Sequence, residues 1–235
     1  MEANRLIMKE VLNKNNHRHS INILNILRLK LIVFCSIAFA MNGGCAIDTS
    51  LAYKYHFKAD SSFQNIDTCF KYTTLAIPLL EKIEDWDKYQ YDLNCLSYCY
   101  QHLEKYDEML ANNIFALSEA KKRFKKSHRY YKTALNNLGI AYRINGDYQK
   151  ALDLYEEALI GIDTLKVDKG NIVGTIYENL GVVHLEKGDY DLAISYYKRS
   201  LILLRNYFRV KMKNRVSYYS REAKVNQFIA EAYRK

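Results

Sequence analysis

The chain has 235 residues, 49% of them apolar and 26% charged, with nine glycines and a single proline. One proline excludes collagen-like and proline-rich disordered classes, and so few glycines argue against a turn-dense β-sandwich or barrel. The net charge of +9 is carried by the ends: residues 1–45 hold six basic and two acidic side chains, residues 205–235 nine and two, and the body between them is −2. An all-helical protein is expected. The sequence contains no nucleic-acid motif, so nucleic acid is not an expected partner. The basic C-terminal stretch reads as solvated surface, with an anionic partner or a membrane surface as the alternative.

In chain order, the first element is an export signal. Residues 31–41 form an uncharged run of eleven directly after Arg28 and Lys30. That length fits a signal-peptide core and falls short of the roughly 20 residues that span a bilayer. Ala38-Phe39-Ala40 has the small-x-small form of a cleavage site, and Asn42-Gly43-Gly44-Cys45 follows it. The latter resembles the lipobox of bacterial lipoproteins, which implies acylation of Cys45. Residues 1–45 are therefore expected to be a signal peptide or lipoprotein signal, and 46–235 the folded part. Cleavage near residue 41, lipidation at Cys45 and retention as an anchor all remain open. Of the other cysteines, Cys69, Cys95 and Cys99 read as small core residues. A Cys69 disulfide to one of the other two is the alternative in an oxidising compartment. Their spacing matches no zinc pattern.

The body repeats with a period of 42 residues. Leu96, Leu138 and Leu180 coincide, as do Tyr106, Tyr148 and Tyr190, and Leu117, Leu159 and Leu201. Between 132–159 and 174–201, ten of 28 positions are identical. Self-similarity at a fixed period of this size signals a solenoid whose units bury their faces against their neighbours. Each unit reads as two helices around a turn, Asn145-Gly146-Asp147 or Lys187-Gly188-Asp189. Full units are expected at about 89–124, 130–164 and 171–212, with partial units at 50–83 and 217–235. Within the first partial unit, 61–83 reads as one second-type helix kinked near Pro78. The last helix, 217–234, opens a unit that the chain does not complete.

Leu138-Gly139-x-x-Tyr142, Gly146-Asp147-Tyr148, Ala151, Tyr155 and Ala158 resemble the tetratricopeptide (TPR) consensus. Leu180-Gly181, Gly188-Asp189-Tyr190, Ala193, Tyr197 and Ser200 repeat it. The first full unit departs, with Ser97, Glu104, Met109 and Asn113 at the consensus small, glycine, alanine and aromatic sites. The long period is similar to the repeats of kinesin light chains and of bacterial peptide-responsive regulators. The resemblance implies an all-α, right-handed helical-hairpin superhelix, an α-solenoid of about four helix pairs plus a final helix. Independently, a glycine inside a helix costs about 1 kcal/mol relative to alanine. Gly139 and Gly181 therefore predict a close approach by the partner helix.

No phosphate loop, nucleophile elbow, zinc-protease motif or EF-hand loop is present, so neither enzyme activity nor a cofactor is expected. The resemblance places the first helices of the units on a concave face. That face would present Asn94, Tyr98 and Gln101, then Asn136, Asn137, Ile140 and Arg143, then Glu178, Asn179, Val182 and Glu186. Asn94, Tyr98, Asn137, Arg143, Glu178 and Asn179 are the candidate partner-binding residues, because an amide both donates and accepts hydrogen bonds to a peptide backbone. A local bond to a neighbouring helix is the competing reading of the asparagines. The lysines of the TPR carboxylate clamp are replaced by Asn136 and Glu178, which removes the case for a C-terminal carboxylate ligand. The expected function is an exported, periplasmic or membrane-anchored scaffold that binds a peptide or protein segment. The alternative is the sensory input part of a membrane-bound bacterial signalling or transcriptional regulator.

Overall fold

Four of the described helices begin where the sequence supplies an oxygen or ring nitrogen for a first free N–H group. In the computed structural model, which describes residues 49–161, 170–211 and 215–234, Asn65 Oδ1 accepts from Thr68 N at 3.0 Å and Asp85 Oδ1 from Lys88 N at 3.2 Å. His128 and Asp147 cap two later helices in the same way. The elements are α1 (Thr49–Asp60), α2 (Ile66–Lys82), α3 (Trp86–His102), α4 (Tyr106–Arg123), α5 (Arg129–Ile144), α6 (Tyr148–Leu159), α7 (Gly170–Lys187), α8 (Tyr190–Lys211) and α9 (Arg215–Arg234). No strand occurs among the described residues. The expectations for residues 1–45, Cys45 included, lie outside the described residues.

The N-terminal stretch is a hairpin of α1 and α2 within the expected partial unit, its second helix starting at Ile66 rather than 61, after a Ser- and Asn-containing turn that Asn65 closes by capping α2. Pro78 lies within α2, where it removes one backbone donor near the helix end. The remaining pairs, α3–α4, α5–α6 and α7–α8, fall where the 42-residue period predicts them, and α9 stands in the place of a further first helix.

The turns inside α3–α4, α5–α6 and α7–α8 each hold a residue with left-handed backbone. Gly146 (φ 79°) and Gly188 (φ 86°) supply it without steric cost, and Glu104 (φ 55°) adopts it at the equivalent place in the first full unit. The pairs α5–α6 and α7–α8 are each sealed by a glycine under a tyrosine ring. In α5 the stripe Tyr131, Leu135, Leu138 and Ala141 is buried, and Tyr155 of α6 is fully buried against it. A Cβ added to Gly139 would lie 2.5 Å from Tyr155 Cε1, and one on Gly181 would lie 2.5 Å from Tyr197 Cε1. The close approach predicted for both glycines is therefore real, and its agent is a tyrosine ring.

Successive pairs stack into one compact unit. Each first helix also packs on the next: α1 on α3, α3 on α5, α5 on α7 and α7 on α9. No equivalent row of contacts joins the second helices among the described residues. An array whose contacts are closer along one row must curve toward that row, so the first helices line the inner side. The fold is an all-α helical-hairpin repeat.

Candidate functional site

Helical geometry decides which side chains the inner side offers. On α3, Tyr89, Leu93, Leu96 and Tyr100 are buried and mark the core-facing stripe. At 100° per residue, Tyr91 and Tyr98 point the opposite way, and Asn94 projects from the flank that faces α5. The same logic on α5 turns Asn136 toward α7 and Asn137 toward α3, since consecutive residues diverge by 100°.

The asparagines form a ladder of amides across three first helices. Asn137 Nδ2 donates to Asn94 Oδ1 at 3.3 Å, Asn136 Nδ2 donates to Asn137 Oδ1 at 3.4 Å, and Asn179 Nδ2 donates to Asn136 Oδ1 at 2.8 Å. Asn113 Nδ2 of α4 donates to the Asn137 carbonyl at 3.1 Å and ties the second helix into the same region. Each amide–amide bond contributes about 1 kcal/mol. An amide nitrogen carries two hydrogens, and the ladder uses one from Asn137 and one from Asn179.

Two ion pairs continue the pattern. Arg143 Nη1 lies 2.5 Å from Glu186 Oε1, and Arg221 Nε lies 2.9 Å from Glu178 Oε1. Glu178 also accepts from Ser200 Oγ at 2.9 Å, and Arg221 Nη2 donates to Thr175 Oγ1 at 2.6 Å. The Asn94–Asn137, Asn136–Asn179, Arg143–Glu186 and Glu178–Arg221 pairs are all separated by 43 residues, one more than the period. The extra residue is the step from the flank of a helix that faces forward to the flank that faces back.

The six sequence-predicted residues are thus gathered on one surface, with different roles. Asn94, Asn137 and Asn179 are half-buried and joined through Asn136, which is itself buried. Arg143 and Glu178 are held in the ion pairs. Tyr98 remains exposed, its ring packed edge-on against Phe63 and tilted over His102 at 4.3 Å between centroids. Sequence reasoning missed Tyr91, Phe63 and Arg221. The period offered a signal for the first, because residues 91, 133 and 175 occupy one position in successive units.

The buried chemistry elsewhere is inert. Cys69, Cys95 and Cys99 are free and buried, and burial pushes the Cys95 and Cys99 thiols up, away from the reactive thiolate. Burial likewise pushes up the Tyr155 phenol, opposed by the nearby Arg143 guanidinium. Among the described residues, no group of three or more His, Cys, Asp or Glu could hold a metal ion.

The tetratricopeptide-repeat family matches residues 92–159, and a second model of the same repeat matches 176–208. Both stretches of the chain are tetratricopeptide repeats. Solved structures agree on the fold. A putative kinesin light chain of Podosopora anserina with nearly identical TPR-like repeats, in a single-substitution form, is 16% identical with a TM-score of 0.53, over 78% of this chain and 96% of that one. A second structure of that protein is 14% identical, also at 0.53, over 77% and 92%. No curated protein matches the sequence significantly. TPR repeats in general serve as protein–protein interaction modules.

Proposed function

We propose that this TPR protein is an exported scaffold that holds a peptide or protein segment of a partner along its row of first helices. The observation that carries the reading is the amide ladder: Asn94, Asn137 and Asn179 stand in line across three helices, half-exposed, with hydrogen-bonding capacity beyond the bonds they make to one another. Such a line suits an extended backbone, which presents a carbonyl or N–H at every residue. The candidate contacts are Asn94, Tyr98, Asn137 and Asn179, while Arg143 and Glu178 brace the helices that carry them. No catalytic role is proposed for any of these side chains. No helix among the described residues is long and apolar enough to cross a membrane. Membrane attachment, in this reading, belongs to the N-terminal signal or to a lipid on Cys45.

Site-specific photo-crosslinking tests the groove. A crosslinker replacing Tyr98 on the inner row should capture a defined partner in the native envelope, and one replacing Ile202, exposed on the second helix α8, should not. Equal capture at both positions overturns the groove assignment. Export is tested separately, by N-terminal and intact-mass analysis of the membrane fraction. Full-length protein recovered from the cytosol overturns it, and Cys45→Ala abolishing lipid labelling selects the lipoprotein branch.

A further inference from the structure

The basic run near the C-terminus begins on a second helix, α8, and not on the inner row. From residue 192 to 221 the sequence holds eight basic side chains and no acidic one. The structure sets part of this run on one face of α8. Ala193, Tyr197, Ser200, Leu201 and Leu204 are buried and mark the packed side of the helix. At 100° per residue the opposite arc falls on Lys198, Arg199, Ile202 and Arg205, all exposed. Lys198 donates to the Tyr233 hydroxyl at 3.1 Å, and Arg199 lies over the Tyr196 ring. Neither makes an ion pair among the described residues, whereas Arg205 meets Glu222 at 2.8 Å.

The fold does not demand these cations. Forty-two residues earlier, the places of Lys198 and Arg199 hold Glu156 and Glu157 on α6, so the scaffold accepts either sign there. Nor does packing account for Ile202, which is 58% exposed at the centre of the basic arc. A cationic face with an aliphatic side chain at its centre complements a surface that is anionic outside and apolar just beneath. A bilayer of acidic phospholipids has that layering: its headgroups attract Lys and Arg, and an apolar side chain between them reaches the acyl boundary. The phosphates of a nucleic acid match the charges alone.

We propose that the exposed face of α8 docks on a membrane surface of anionic phospholipid, with Lys198, Arg199 and Arg205 against the headgroups and Ile202 inserted between them. This contact does not depend on the groove reading. Beside a lipid on Cys45 it is a second attachment, which stable anchoring by one acyl chain requires.

Co-sedimentation of the full chain with vesicles tests it, comparing pure phosphatidylcholine with a phosphatidylglycerol mixture at low and high salt. Partitioning should be at least about tenfold stronger on the anionic vesicles and should fall as salt rises. Lys198→Glu/Arg199→Glu installs the side chains that α6 already carries at these places, so the variant should melt as the wild type does. It should lose about tenfold or more of the anionic partitioning. Binding by residues 31–41 is common to both proteins and cancels in the comparison. Ile202→Asn should weaken partitioning on the anionic vesicles at low and high salt alike. Equal partitioning on both vesicles, or an anionic preference that the double variant retains, overturns the proposal. Unchanged partitioning of Ile202→Asn overturns the insertion. Binding to duplex DNA that exceeds vesicle binding and is abolished by the double variant gives the face to nucleic acid and overturns the lipid assignment.

Discussion

Gly139 lies under the ring of Tyr155 so closely that a methyl group in its place would stand 2.5 Å from Cε1 and 2.9 Å from Cδ1 and Cζ. Tyr155 is fully buried and has no room to retreat. The pair recurs 42 residues on as Gly181 and Tyr197. In the first full unit the same two places hold Ser97 and Asn113, both buried. Where the aromatic ring is absent, the glycine is absent too.

This relationship sets opposite outcomes for one substitution at two helical glycines. Gly139→Ala should destabilise the fold by about 1–3 kcal/mol, because overpacking outweighs the roughly 1 kcal/mol gained in helix propensity. Gly174→Ala, also inside a helix, meets nothing nearer than Ser200 Oγ at 3.6 Å and should stabilise by up to about 1 kcal/mol. Chemical denaturation of the two variants checks both signs. A stabilising Gly139→Ala means that the tyrosine seam can open.

The turn residues make a second prediction. Glu104 is exposed and holds a φ of 55° where the later units have Gly146 and Gly188. Left-handed backbone costs a residue with a side chain about 1–2 kcal/mol, partly offset because glycine gains freedom in the unfolded chain. Glu104→Gly should therefore raise the melting temperature by a few degrees, for a net gain of about 1 kcal/mol or less. Gly146→Glu should lower it. No change in either direction means that the α3–α4 turn is not strained.

A third prediction concerns pH and the docking of the N-terminal hairpin. Asp92 of α3 is fully buried and accepts from His56 Nδ1 of α1 at 2.8 Å, while its Oδ2 has no hydrogen-bond partner. Burial raises the Asp92 pKa above the ordinary 3.8; the His56 bond opposes the rise, and the facing Asp60 and Asp85 add to it. A carboxyl raised by folding contributes stability that is complete below its ordinary value and is lost as pH rises through the raised one. Relative to Asp92→Asn, which cannot titrate, the wild type should gain stability as pH falls from neutral toward 4. Denaturation of both proteins across that range measures the difference. The reverse slope means that His56 holds the carboxylate charged.

The helices, their pairing and the glycines were legible in the sequence because each depends on neighbours along one chain. Hydrophobic stripes at helical spacing, a turn residue every 42 positions and a small residue opposite an aromatic all survive as local, repeated patterns. The first hairpin was less legible, because α1 and α2 carry only a degenerate version of the repeat and are set apart by a capped turn at Asn65. The sequence offered the asparagines as candidate contacts, with a bond to a neighbouring helix as the competing reading, and the structure shows such bonds without their pairing having been legible. Whether Asn137 meets Asn94 or Asn136 meets Asn179 depends on which flank of each helix faces its neighbour, and the stacking angle between pairs decides that. The 42-residue period alone cannot supply it, since the contacts run at 43. The His56–Asp92 pair has no repeated counterpart to announce it, since it joins the first hairpin to α3 across 36 residues. The sequence by itself determined an array of TPR helix pairs; only the packed structure decided which side chains of its first helices bind one another, because those bonds depend on how successive pairs stack.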